Sequence, residues 1–122
     1  METPERIRNA LAYATGSEKV WRLFRNRDDF FITEGVRVMA DMTEAWWLLT
    51  AIASYCLTDP NVREESFTDW TLTLDGTKAH LTGGDGDDRT LVEQEIPYTD
   101  FPLPEGITLF KVDDVLMLPS EY

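Results

Sequence analysis

Apolar positions crowd one stretch of this chain more than any other, Glu44 to Leu57, EAWWLLTAIASYCL. Trp46, Leu49, Ala53 and Cys56 fall at helical spacing, and so do Ala45, Leu48, Ile52 and Tyr55 one step round. Apolar residues thus cover most of the circumference, which predicts a helix buried on nearly all sides. At 14 residues it is too short to cross a bilayer. Asp41 with Glu44 three on, or Thr43 alone, supplies a cap, and Pro60 in Thr58-Asp59-Pro60-Asn61 ends the helix because proline cannot continue it.

Ahead of this helix the pattern is weaker. Thr3-Pro4-Glu5 opens a first helix with Thr3 as cap, Pro4 at the first helical position and Gly16 as a stop; Ile7, Leu11 and Ala14 form its apolar stripe. In Lys19 to Arg27, KVWRLFRNR, the apolar Val20, Trp21, Leu23 and Phe24 alternate with Arg22, Arg25 and Arg27. Basic residues among aromatics suit single-stranded nucleic acid; a short amphipathic segment whose arginines meet the protein's own carboxylates explains them more simply. Asp28-Asp29 marks a turn, Phe30 to Thr33 a short strand or extended segment, Gly35 a bend, and Val36 to Ala40 a helical or extended lead-in.

From Phe67 the period changes to two. Trp70, Leu72 and Leu74 alternate with Thr71 and Thr73, which predicts a strand with one buried face. Asp75-Gly76 signals a hairpin. Lys78 to Thr82 is the return strand, with Ala79 and Leu81 facing in and His80 facing out. Gly83 to Asp88, GGDGDD, reads as a loop, Thr90 to Ile96 as a third strand ended by Pro97, and Ile107 to Val112 as a fourth. Asp113-Asp114 turns the chain into a last strand, Val115 to Leu118. The pattern as a whole predicts one α+β domain over residues 1–122: N-terminal helices with a buried central helix packed on one face of an antiparallel sheet of four to five short strands.

Several of these segments, taken together, resemble a known family. They are Gly35-Val36 with Ala40; Trp47-Leu48-Leu49 with Ala51-Ile52-Ala53-Ser54; Phe67 with Trp70 and Leu72; Ile96-Pro97-Tyr98-Thr99-Asp100-Phe101-Pro102-Leu103; and Leu118-Pro119-Ser120-Glu121-Tyr122. The family comprises short, uncharacterised proteins of bacteria and their phages, known only as a domain of unknown function. The resemblance covers residues from Phe30 onward. It implies a compact intracellular domain, often on mobile elements, and carries over no activity and no catalytic residues.

Charge changes the picture most. The net charge is −12, and it is segregated: residues 1–37 hold seven Lys/Arg against six Asp/Glu, whereas residues 38–122 hold four against seventeen. Such a field repels nucleic acid and anionic membranes and attracts basic protein surfaces. The single cysteine, Cys56, allows no internal disulfide, which favours a cytoplasmic setting. Neither a signal-peptide pattern nor a lipidation motif is expected.

Candidate chemistry is sparse. GGDGDD matches one copy of a calcium-binding repeat that needs several stacked copies, and glycine with aspartate also suits any exposed hairpin loop. His80 is the only histidine and has no partner nucleophile in the pattern; Cys56 reads as a small core residue. Thr99-Asp100-Phe101-Pro102 reads as a plug, anchored by Phe101, with Asp100 bonding nearby amides. Of Trp46 and Trp47, which point to different helix faces, at most one is needed against the sheet.

The reading that follows is a non-enzymatic protein-binding module without cofactor or metal. Asp85, Asp87, Asp88, Glu93, Glu95, Asp113 and Asp114 are its candidate contacts, replacing phosphates on a host protein's basic, nucleic-acid-binding groove. A phage or mobile-element inhibitor of a host defence complex, such as a CRISPR effector, fits that description. The alternative is a small-ligand or metal-binding domain, with or without hydrolytic activity, built on the loop at 83–88. A third reading is a structural protein or homodimer joined through Trp46 or Trp47.

Overall fold

The structure is a computed structural model and describes residues 2–14 and 19–122. The first helix, α1 (Pro4–Ala12), starts as its sequence predicts: Pro4 sits in the first turn, and the Thr3 hydroxyl accepts from Arg6 N at 3.3 Å. Its stop at Gly16 lies outside the described residues. Two short strands follow, β1 (Val20–Arg22) and β2 (Phe31–Thr33).

Next comes a helix that the sequence pattern shows only as a lead-in, α2 (Glu34–Thr43). Thr33 caps it, its hydroxyl accepting from Val36 N, and Glu34 places an acid in the first turn. Asp41 and Thr43 therefore lie inside α2 and do not cap the central helix. Glu44 closes α2 in the left-handed conformation, at φ 56°.

The central helix, α3 (Trp46–Thr58), starts at Ala45 without a side-chain cap. One side carries Leu48, Leu49, Ile52, Ala53 and Cys56 into the core. The opposite side is open, with Thr50 and Ser54 exposed and Trp46 and Trp47 exposed by 39% and 36%. The helix is thus buried on one side only, because the sheet it covers has no second layer above it. Pro60 ends α3 and begins the single turn α4 (Pro60–Arg63), with Asp59 accepting from Asn61 N.

Five more strands complete the chain: β3 (Phe67–Asp75), β4 (Lys78–Gly84), β5 (Thr90–Ile96), β6 (Ile107–Val112) and β7 (Val115–Met117). A 3-10 turn, Pro119–Glu121, follows them. Gly83 and Gly84 belong to β4, so the loop proper runs from Asp85 to Arg89.

The fold is α+β, but the sheet is larger than predicted and mixed. Seven strands lie in the order β1-β2-β7-β6-β3-β4-β5. All neighbours are antiparallel except β2 and β7, which pair in parallel through Phe31 with Val115 and Ile32 with Leu116. The extra strands β1 and β2 have three residues each. The β2 segment is legible from Phe30 to Thr33, but β1 shows too little alternation to be read, and a parallel pairing between distant segments leaves no local mark of β2's place in the sheet.

One sheet face is covered. Trp70, Leu72, Leu81, Val92, Leu109, Leu116 and Ile32 point into the core with Val36, Met39, Ala40 and the buried side of α3. Tyr55 of α3 stacks on Trp70 with ring centroids 6.0 Å apart. Phe101 and Leu103 plug the same core from the 97–106 connection. The local bonds there come from Thr99, whose hydroxyl accepts from Phe101 N; Asp100 stays exposed. The other face carries Thr71, Thr108, Thr73, His80, Thr82, Glu93 and Glu95, with Phe67, Phe110 and Tyr122 clustered at the end where β3 starts and β6 stops.

Candidate functional site

The register brings two acidic turns to one end of the sheet. Phe67 pairs with Val112 and Asp69 with Gly84, so the start of β3, the end of β6 and the end of β4 coincide. The β4–β5 loop with Asp85, Asp87 and Asp88 and the β6–β7 turn with Asp113 and Asp114 both leave from this end. Three interstrand steps of about 4.8 Å separate them, roughly 14 Å in all.

Main-chain bonds hold this rim. Asp113 N donates to Ser66 O at 2.9 Å, which ties the turn to the segment bearing Glu64 and Glu65. Phe31 N donates to Asp114 O at 2.7 Å, which brings in Asp28 and Asp29. Asp113 sits at φ 50°, a conformation that aspartate and asparagine tolerate better than other residues with a Cβ. In the loop, Asp69 Oδ1 accepts from Gly86 N at 3.1 Å and Asp85 Oδ1 from Asp87 N at 3.0 Å. These bonds shape a loop in which Asp87 and Asp88 are exposed while Asp85 is half-buried and turned onto the loop's own backbone, as in an aspartate–glycine turn. Among the described residues no group of three or more His, Cys, Asp or Glu side chains is placed to hold a metal ion.

The arginines of the first third pair with acids other than those five aspartates, two of them at this same rim. Arg22 pairs with Asp28 at 2.8 Å, Arg27 with Asp29 at 2.7 Å, Arg8 with Glu105 at 2.8 Å and Arg37 with Glu34 at 2.7 Å. Arg27 holds the Asp29 carboxyl below its usual range, and Arg37, then Trp21, do the same for Glu34. Arg37 also lies over the Trp21 ring, 5.1 Å from its centroid, while Trp21 Nε1 donates to Glu34 at 2.8 Å. The basic run is therefore folded onto acids of its own neighbourhood. Among the described residues no ion pair falls on Asp85, Asp87, Asp88, Asp113 or Asp114.

Glu93 and Glu95 stand apart from those five. They lie on β5 at the edge of the open face, opposite Thr82 and His80. His80 bridges them, Nδ1 contacting Glu95 and Nε2 lying 3.5 Å from Glu93. The two acids raise the His80 pKa above its usual value. The seven predicted contacts thus form two groups, five at the sheet end and two at the sheet edge.

A cleft of about 190 Å³ opens beside the rim, lined by Asp29, Cys56, Arg63, Glu65, Lys111 and the 113–114 turn. Lys111 is the residue that sequence reading passes over. It holds an inward register position, between Thr68 on β3 and Leu116 on β7, reaches over the Phe30 ring at 5.3 Å and donates to the Asp113 carbonyl. A lysine at an alternating position that elsewhere carries Leu109 and Ile107 was the available signal. Burial pushes the Cys56 thiol up to about 11, so at neutral pH it is a protonated core group rather than a nucleophile.

No curated protein matches the chain. A crystal structure of a protein of unknown function from Enterococcus faecalis shares the fold, with a TM-score of 0.51 over 84% of this chain and 96% of that one, at 18% identity. No helix among the described residues is long and apolar enough to cross a membrane. Residues 5–122 match DUF6876, a family of unknown function, and this match takes in the residues before Phe30 that the sequence resemblance leaves outside. The chain belongs to the DUF6876 family.

Proposed function

We propose that this protein is a non-enzymatic acidic docking module that occupies the basic, nucleic-acid-binding groove of another protein. The observation that supports it is the rim: five aspartates from two turns, roughly 14 Å apart at one end of the sheet, with no ion pair on any of them among the described residues. Lysines and arginines arranged for phosphates meet carboxylates at comparable spacing, and the counterions they release drive association as they do for nucleic acid. The net charge of −12 steers the encounter and keeps the module off nucleic acid and anionic lipid. A host defence complex that grips nucleic acid in such a groove is the partner class that fits, and a phage or mobile element is the source that would gain from blocking it.

The test is capture from a lysate of the source cell at low salt, followed by elution with a short oligonucleotide. The reading predicts a captured nucleic-acid-binding protein that the oligonucleotide releases. Capture of no such protein, or a captured protein indifferent to oligonucleotide, contradicts it.

A further inference from the structure

The last strand of the sheet, β5, has a partner on one side only, and its main chain can be oriented from the hairpin beside it. The β3–β4 hairpin closes on Asp75 and Lys78 around Gly76-Thr77. The closing pair of a two-residue hairpin exchanges hydrogen bonds, and pairs alternate from there. His80 and Thr82 therefore face β3, while Ala79, Leu81 and Gly83 face β5. Thr77 belongs to the second set, and its carbonyl does accept from Thr99 N on the β5 side, at 2.7 Å.

The β5 residues opposite that set are Ile96, Gln94 and Val92. Their main-chain groups serve the ladder, so those of Glu93 and Glu95 point off the sheet. Among the described residues no further backbone bond takes them up.

The same two residues put their carboxylates on the open face. Gln94, between them, faces the helix layer, where its side-chain oxygen accepts from Tyr55 OH at 2.7 Å. Tyr55 continues a helical row with Ala51 and Trp47, four residues apart on α3. A strand laid along β5 would thus meet two carboxylates, which His80 bridges from the β4 side, on one side and the Trp47–Ala51–Tyr55 row on the other.

We infer that β5 receives an extended basic segment of a partner protein as an added antiparallel strand. Its cations lie at alternate positions opposite Glu93 and Glu95, and an apolar residue between them lies under α3. A second copy of this chain does not suit the edge. An antiparallel β5–β5 pair centred on Gln94 sets Glu93 of each copy against Glu95 of the other, and like charges directly opposite are destabilising. The inference shares with the proposed function only the basic character of the partner; the surface is separate from the rim.

The experiment is an NMR titration of the whole chain with the blocked peptide Thr-Val-Lys-Val-Lys-Val-Thr at low salt. Shifts centred on the Glu93 and Glu95 amides are expected, with a dissociation constant tighter than about 1 mM. E93Q/E95Q should weaken binding about tenfold. A peptide N-methylated at the two lysines, whose amides face the edge, should bind at least about tenfold more weakly than one N-methylated at the central valine. Replacing the five rim aspartates by asparagine should leave the peptide affinity within about twofold. No shift along β5, insensitivity to E93Q/E95Q, or equal binding of the two methylated peptides overturns the inference. So does concentration-dependent broadening of β5 without peptide, which would make a second copy the occupant. Peptide failure together with successful oligonucleotide-reversible capture removes the added strand and leaves the rim reading intact.

Discussion

The Glu121 carboxylate accepts a hydrogen bond from the Thr33 hydroxyl at 2.6 Å, which fastens the end of the chain to the start of α2. The same carboxylate accepts from Leu118 N at 2.9 Å and from Gly35 N at 3.3 Å, so it satisfies amides at both the 3-10 turn and the helix N-terminus. Glu121→Ala leaves those donors without their acceptor and should lower unfolding stability by about 1–3 kcal/mol in urea titration. Glu121→Gln, which keeps an acceptor oxygen, should lose less.

Two glycines with positive φ separate strain from crowding. Gly76, at φ 63°, has open space where a Cβ would stand, whereas at Gly106, φ 75°, a Cβ would fall 1.9 Å from the Leu72 carbonyl oxygen. Gly76→Ala should cost about 1–2 kcal/mol, the ordinary penalty for a left-handed residue with a Cβ. Gly106→Ala should cost more, because the β3 backbone must also move. Equal melting temperatures for the two variants would show the Gly106 turn to be placed otherwise.

Stability should depend on pH at two exposed pairs. Contact with Glu95, then Glu93, raises His80 above 6.5, so its contribution is fully present below that pH and is lost as pH rises through the folded value. Arg8 holds Glu105 at about 2, down from 4.5, so that contribution is present above pH 4.5 and is lost as pH falls through about 2. Both effects should shrink in high salt. His80→Gln should flatten the first dependence and leave the second, as followed by melting temperature against pH.

Cys56 should resist alkylation. Burial raises its thiol from 9.0 to about 11, which lowers the thiolate fraction about a hundredfold at neutral pH. Iodoacetamide at pH 7.5 should modify the native protein far more slowly than the urea-unfolded chain. Comparable rates would show that the thiol is reached through the cleft it borders.

The segments legible in the sequence were those whose period is local and whose ends are punctuated. Trp70, Leu72 and Leu74 set the inward face of β3, and Pro97 bounds β5 at the predicted residue. Helix α2 was obscured because Asp41, Thr43 and Glu44 look like a helix start, while the cap that operates is Thr33. Strand β2 was legible at Phe30 to Thr33, but β1 is too short to show alternation, and the parallel β2–β7 pairing joins segments more than eighty residues apart. The candidate acids were readable as residues but not as a surface. That Asp85 and Asp113 share one end already follows from antiparallel pairing, since β6 runs opposite to β3 and β5 alike; their separation follows from β6 lying beside β3 rather than beside β5, a choice that strand pattern alone does not make.

The central claim is that the five rim aspartates replace phosphates. The most direct measurement is displacement of a labelled oligonucleotide from the captured partner by the protein and by D85N/D87N/D88N/D113N/D114N. Asparagine keeps the left-handed turn at residue 113 while removing the charge. The account predicts that the native protein displaces the oligonucleotide, less so as salt rises, and that the variant, folded and at least as stable, is weaker by tenfold or more. Displacement by the variant as effective as by the native chain would contradict it.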